Sequence, residues 1–194
     1  MSLRCLFIVQ GEGRGHLTQA LALRRMLVEA GHRVDEVVVG SSQCRVVPSF
    51  FTEAFSGPVT FVESPSFVPD GDDRSVRFWT TLVHELGRTP TFLDSLATID
   101  AAVERHEPDV IVNFFEPLSG FYALRYRPSV PIVAVGHQYM FHHPAYSFPP
   151  GHRFQRWAAK TFAAMTAWGT TRRLALSLYP APDRPNDDIV VLPP

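Results

Sequence analysis

Between the apolar run Cys5-Leu6-Phe7-Ile8-Val9 and the helix-forming stretch from Leu17 to Ala30 lies the segment Gly11-Glu12-Gly13-Arg14-Gly15-His16. No other feature restricts the fold as much. A strand, a glycine-rich turn and a helix in direct succession form the opening unit of a parallel α/β sheet. Glycines here are expected to admit positive φ and to let a ligand approach the backbone. The free N–H groups and positive dipole end of the helix favour an anion or a developing oxyanion. A binding site is therefore expected at this turn.

Its spacing excludes two familiar uses of such turns. A dinucleotide fingerprint needs glycines in a G-x-G-x-x-G register, and counting from Gly11 and Gly13 puts His16 where the third should stand. The second apolar run, Val34 to Val39, leads into Gly40-Ser41-Ser42 instead of an acid that would hold a ribose. A P-loop needs Gly-Lys-Ser/Thr, and the only lysine is Lys160. No cofactor is expected.

A chain of 194 residues can bury a full core as one domain. With 45% hydrophobic residues, 19% charged residues and a formal net charge of −1, it has neither a disordered composition nor the basic excess of a nucleic-acid binder. The two cysteines, Cys5 and Cys44, are too few for a disulfide framework, and the first apolar run stops at Gly11, too short for a secretory signal. A cytoplasmic setting is expected. No apolar stretch approaches the roughly 20 residues that span a bilayer, so any membrane contact would be peripheral.

Apolar runs recur at Cys5 to Val9, Val34 to Val39, Val59 to Val62, Val110 to Asn113, Ile132 to Val135, Leu174 to Leu178 and Ile189 to Leu192. Helical patterns separate them, which implies a Rossmann-like three-layer α/β sandwich around a parallel sheet. The first helix carries a stripe of Ala20, Leu23, Leu27 and Ala30, widened by Leu17, Leu21 and Val28, with Gly31 at its stop. Ser64 to Arg74 reads as a long loop, followed by helices at Ser75 to Gly87 and Pro90 to His106 and, later, His152 to about Trp168. Residues 1–194 read as a single domain. The closing Ile189-Val190-Val191-Leu192-Pro193-Pro194 reads as a strand entering a linker, with a second domain expected beyond it.

Three segments carry a family resemblance. They are the glycine-rich loop with Ala20-Leu21-Ala22-Leu23, the stretch Pro108-Asp109-Val110-Ile111-Val112-Asn113-Phe114-Phe115-Glu116-Pro117-Leu118-Ser119, read as a strand and loop, and Pro131-Ile132-Val133-Ala134-Val135-Gly136-His137-Gln138. The chain resembles the N-terminal, acceptor-binding half of a GT-B glycosyltransferase. It is most similar to the branch of the bacterial peptidoglycan N-acetylglucosaminyltransferase and related uncharacterised glycosyltransferases. That resemblance implies transfer of a sugar from a nucleotide-diphosphate sugar to an acceptor hydroxyl, with inversion and without an essential metal. The donor would be held by a C-terminal domain, so the 194 residues alone are expected to be inactive. The acceptor would be a small molecule or lipid-linked. Two alternatives remain open: a sugar-nucleotide epimerase of the same architecture, and a non-catalytic nucleotide- or anion-binding module.

The resemblance implies that His16 is a general base, and its place at a helix N-terminus, which disfavours the cation, is compatible with that. Phosphate contact and simple capping stay open. Gly11, Gly13 and Gly15 would admit phosphates to the backbone, and Arg14 would add charge-assisted bonds. Relatives often carry an acid directly after the fourth strand. Here Asn113-Phe114 stands in that place, leaving Glu116 to orient His16, to bind hydroxyls or simply to be a solvated loop acid. His137 and Gln138, just past a strand end, are expected to face the same crevice as acceptor contacts. His142 and His143 are not read as metal ligands, since adjacent histidines in an aromatic loop lack helical i, i+4 spacing. The aromatic and basic residues from Phe141 to Trp157 would suit either a core or a peripheral lipid-facing surface.

Overall fold

The computed structural model describes residues 2–42, 46–65 and 89–193. The expected helix at Ser75 to Gly87, most of the loop before it, and Cys44 lie outside the described residues. Seven parallel strands form one sheet: β1 (Arg4–Gln10), β2 (Arg33–Ser41), β3 (Val59–Glu63), β4 (Val110–Phe114), β5 (Ile132–Val135), β6 (Arg172–Leu176) and β7 (Ile189–Leu192). Their spatial order is β3-β2-β1-β4-β5-β6-β7. Every apolar run of the sequence became a strand; in the central β1, β2 and β4 the runs are nearly continuous because helices cover both faces, and a strand buried on both sides has no need of polar alternation. In β1 the whole run Cys5 to Val9 is buried. Each fully buried Leu, Ile or Phe there contributes roughly 1.5–3 kcal/mol of hydrophobic stabilisation.

The helices are α1 (Arg14–Glu29), α2 (Ser49–Ala54), α3 (Thr89–His106), α4 (Pro117–Tyr126) and α5 (Arg153–Thr166), with a 3-10 helix over His137–His142. On one face of the sheet, Cys5, Phe7, Val9, Val37 and Val39 pack with Leu17 and Ala20 of α1 and Phe51 of α2. On the other, Leu6, Ile8, Val38 and Ile111 pack with Ile99 of α3 and Leu118 and Tyr122 of α4. Strand alternation assigns these two sets to opposite faces. A third cluster joins Ala134, Tyr139, Ala163 of α5 and Phe115.

Three local expectations are corrected. Val28 and Ala30 are exposed, so the apolar stripe of α1 ends at Leu27, where the helix leaves the sheet before Gly31 reverses the chain at φ 84°. The segment from Pro117 is a helix and not a loop: Pro117 fits the first turn, where no N–H partner is needed, and the Glu116 side chain caps it by accepting the Leu118 N–H. Its Gly120 lets the Met165 carbonyl of α5 pass against it, since a Cβ would overlap that oxygen. Strand β6 runs Arg172–Leu176, ending before the expected Leu178. The Ser177 hydroxyl donates to the Tyr179 carbonyl at 2.7 Å and accepts its N–H at 3.1 Å, a local turn that competes with the ladder and sends Leu178 and Tyr179 into solvent.

Candidate functional site

In this strand order the chain runs outward from β1 in one direction and from β4 in the other. The loops after these two adjacent strands therefore diverge and leave a crevice at the carboxyl edge of the sheet. The glycine-rich turn follows β1, and Phe115-Glu116 follows β4. The turn is built by close approach and not by positive φ. None of Gly11, Gly13 and Gly15 is among the positive-φ glycines. Gly11 donates to the Gly40 carbonyl at 2.7 Å, and a Cβ at Gly11 would stand 2.9 Å from that oxygen. Gly13 and Gly15 have open space where a Cβ would be, with Gly13 as an N-cap that offers no side chain to the first N–H groups of α1. The helix start is thus uncapped and open to a ligand. Arg14 is exposed at its rim and makes no ion pair among the described residues.

His16 is 6% exposed, in the first turn of α1. Its ring lies nearly parallel to Phe115 (centroids 5.4 Å, 19°) and to His137 (6.1 Å, 21°). The Gln138 amide N–H donates to Nε2 at 3.3 Å, and the Gln19 amide N–H donates to His137 Nδ1 at 3.4 Å. Each histidine is therefore held by the glutamine that neighbours the other. His16 Nδ1, Gln19 Oε1 and Gln138 Oε1 are buried with no hydrogen-bond partner, three polar atoms with unused capacity in one place. Burial, and then the neighbouring His137, push the His16 pKa down to about 4, while Gln19 acts in the opposite sense. The ring is neutral at physiological pH.

Phe115 was not anticipated by sequence reasoning. It holds φ 61°, a left-handed conformation that is costly for a bulky residue and that clusters at functional sites. That turn swings its ring between His16 on one side and Tyr139 and Phe162 on the other.

Glu116 goes elsewhere. Its carboxylate is fully buried, accepting the Ser64 hydroxyl at 2.5 Å and the Leu118 N–H at 3.1 Å, with Oε2 unpartnered. A Cβ at Gly40 would overlap this carboxyl. Gly40 shares a sheet face with Val38, in the core of α3 and α4, whereas His16 opens α1 on the opposite face. The expectation that Glu116 orients His16 is not met. Its hydrogen-bond partners are Ser64 and Leu118, because the N-cap geometry folds the side chain back over β2. Burial first, and the charge of Glu12 as a smaller contribution, push its pKa up to about 8 against the hydrogen bonds of Ser64 and Leu118.

Asn113 uses both ends of its amide. Nδ2 donates to the Thr166 carbonyl at 2.7 Å and Oδ1 accepts the Glu116 N–H at 2.9 Å. A carboxylate could not make the first bond. The histidine pair at the end of the 3-10 helix is structural: His142 donates to the Lys160 carbonyl at 3.0 Å, and His143 donates to the Pro182 carbonyl at 2.9 Å while accepting the Ala145 N–H.

A cleft of about 640 Å³ opens beside this centre, with Gln19 and His137 in its wall. None of the described helices is long and apolar enough to cross a membrane.

Solved structures of several enzymes share this fold. UDP-GlcNAc 2-epimerase from Neisseria meningitidis bound to UDP-GlcNAc superposes with a TM-score of 0.55 at 10% identity, over 97% of this chain and 46% of that one. Phytolacca americana UGT2, complexed with UDP-2fluoro-glucose and pterostilbene, gives 0.57 at 13% identity, over 92% and 48%. Acinetobacter baumannii MurG gives 0.50 at 12% identity, over 94% and 44%. The chain spans about half the length of these structures, and at such identities the likeness is one of fold. No curated protein matches it in sequence. The family model described as glycosyl transferase family 1 matches residues 3–194, nearly the whole chain. With its parallel sheet and its crevice at the carboxyl edge, this chain belongs to that family.

Proposed function

We propose that this domain is the acceptor-binding half of a GT-B glycosyltransferase, with His16 as the general base and a nucleotide-diphosphate sugar held by a second domain. The observation that carries this reading is His16 itself: a neutral, buried imidazole at an uncapped helix N-terminus, beside a cleft, clamped by Phe115, His137 and Gln138. An acceptor hydroxyl takes the place of the Gln138 N–H as donor to Nε2. As its oxygen attacks the anomeric carbon, the proton passes to Nε2 and the bond to the diphosphate breaks. The electron pair leaves on the phosphate oxygen, with inversion at carbon. Gln138 then turns its free Oε1 toward the new N–H, which stabilises the imidazolium and raises the basicity of a ring that burial and His137 hold at about 4. Gly13, Gly15 and Arg14 face the charged part of the donor. Glu116 supports the loop after β4 and is outside the proton path.

In the complete enzyme, His16→Ala should lower kcat by about 10²- to 10⁴-fold with little change in donor affinity. A raised KM with kcat intact would instead make His16 a ligand contact. Sugar-nucleotide epimerisation is the second reading, favoured by the fold shared with UDP-GlcNAc 2-epimerase. It would appear as turnover of the nucleotide sugar that needs no acceptor.

A further inference from the structure

The cleft of about 640 Å³ has the size of a small-molecule pocket and a marked internal asymmetry. One end is polar, formed by Gln19 and His137, which are hydrogen-bonded to each other and stand against His16. The remainder is dominated by Met140, Tyr146, Leu176, Leu178 and Tyr179. No Asp, Glu, Lys or Arg is among its described lining residues. At the rim, Leu178 and Tyr179 are 80% and 79% exposed as adjacent apolar side chains, held outward by the Ser177 turn. A pocket with a largely apolar lining and no Asp, Glu, Lys or Arg among its described lining residues offers no charged partner to repay the desolvation of a phosphate or carboxylate. It suits a largely apolar molecule that carries a hydroxyl.

We infer that the cleft binds an uncharged, largely apolar alcohol or phenol, with its body between Met140, Tyr146 and Leu178 and its hydroxyl directed past the Gln19–His137 end toward His16. This rests on the glycosyl-transfer reading only in naming that molecule as the acceptor. It sets aside a pyrophosphate-bearing lipid carrier, whose charge would have no partner in the cleft.

Titration calorimetry on the 194-residue chain with 2-naphthol and with 2-naphthyl phosphate tests it without any donor. The naphthol should bind at least about tenfold more tightly than its phosphate ester. Leu178→Asp and Ala145→Trp change exposed residues, one charging the rim and the other filling the cleft. Each should weaken naphthol binding by about tenfold or more with an unchanged unfolding temperature. Naphthyl phosphate binding as tightly as naphthol would overturn the inference. So would an absence of naphthol binding, which would make the Leu178–Tyr179 rim a contact for another protein domain. The two readings fail separately. Naphthol binding in an enzyme that never transfers sugar leaves the cleft standing and removes the transferase. Loss of transfer in His16→Ala with no naphthol binding does the reverse.

Discussion

Strand β2 passes two buried carboxylates, Glu36 near its amino end and Glu116 packed on Gly40 at its carboxyl end. Both are almost without solvent exposure, 1% and 0%. Glu36 is saturated with partners: Arg105 at 3.0 Å and His106 at 2.7 Å, from the end of α3, and the Thr60 hydroxyl at 2.6 Å. Among the described residues Glu116 has a hydroxyl, one backbone N–H and no cation, with one oxygen left over. The amino end of the sheet therefore neutralises its charge. The carboxyl end instead keeps a neutral acid, a neutral imidazole and several unused polar atoms. Unsatisfied groups and shifted pKa values thus gather at one edge of the sheet and a saturated carboxylate lies at the other.

The largest effect that separates the two is pH dependence. Folded Glu116 holds its proton up to about pH 8, while the unfolded chain releases it near 4.5. Between those values unfolding releases a proton, so raising the pH favours unfolding. Glu116→Gln removes this penalty. From pH 5 to 8 its stability relative to wild type should rise by roughly 4 kcal/mol, measured by urea unfolding at each pH. A difference that stays constant over this range would show that Glu116 is ionised in the folded state. His16 acts in the opposite sense between about 4 and 6.5, where the unfolded chain binds a proton that the buried ring refuses. Comparison with the Gln variant cancels that contribution.

The saturated carboxylate should respond to loss of its partners instead. Arg105→Met with His106→Leu leaves Glu36 buried beside Thr60 alone, and the chain should lose about 3 kcal/mol at pH 7. Adding Glu36→Leu, which replaces the buried network by apolar groups, should restore most of it. If the first pair of substitutions leaves the unfolding midpoint unchanged, Glu36 is not held by these two side chains and the contrast between the two ends fails.

What the sequence disclosed follows the range of the interactions involved. The strand, glycine turn and helix around His16 are written in adjacent residues, and His137 and Gln138 follow a strand whose end is marked by Gly136. All seven strands were legible because apolar runs between helical patterns leave little else to build. Glu116 was misplaced because its surroundings come from Ser64, Gly40 and Leu118, two of them more than fifty residues away along the chain. Helix α4 was missed because Pro117, Ser119 and Gly120 have loop chemistry, while tolerance of Gly120 depends on the Met165 carbonyl arriving from α5. Its one readable signal was a proline directly after an acid, a good helix start. Gln19, one turn beyond His16, could have been found by helical spacing.

The smallest effect tests the packing that holds Glu116 in place. Gly40 lies in a strand and has no positive φ, so alanine there meets no backbone objection, and on backbone entropy alone it would be neutral or slightly stabilising. Its Cβ, however, would overlap the Glu116 carboxyl. Gly40→Ala should therefore cost about 1–3 kcal/mol through forced displacement of a fully buried group. Glu116→Ala clears that space, so alanine at 40 should be tolerated far better in the double variant than alone. A double-mutant cycle by denaturant unfolding at pH 6, where the carboxyl is neutral, should give a coupling above about 0.5 kcal/mol. Additivity would mean that Gly40 is glycine for another reason and that the carboxyl is free to leave the β2 edge.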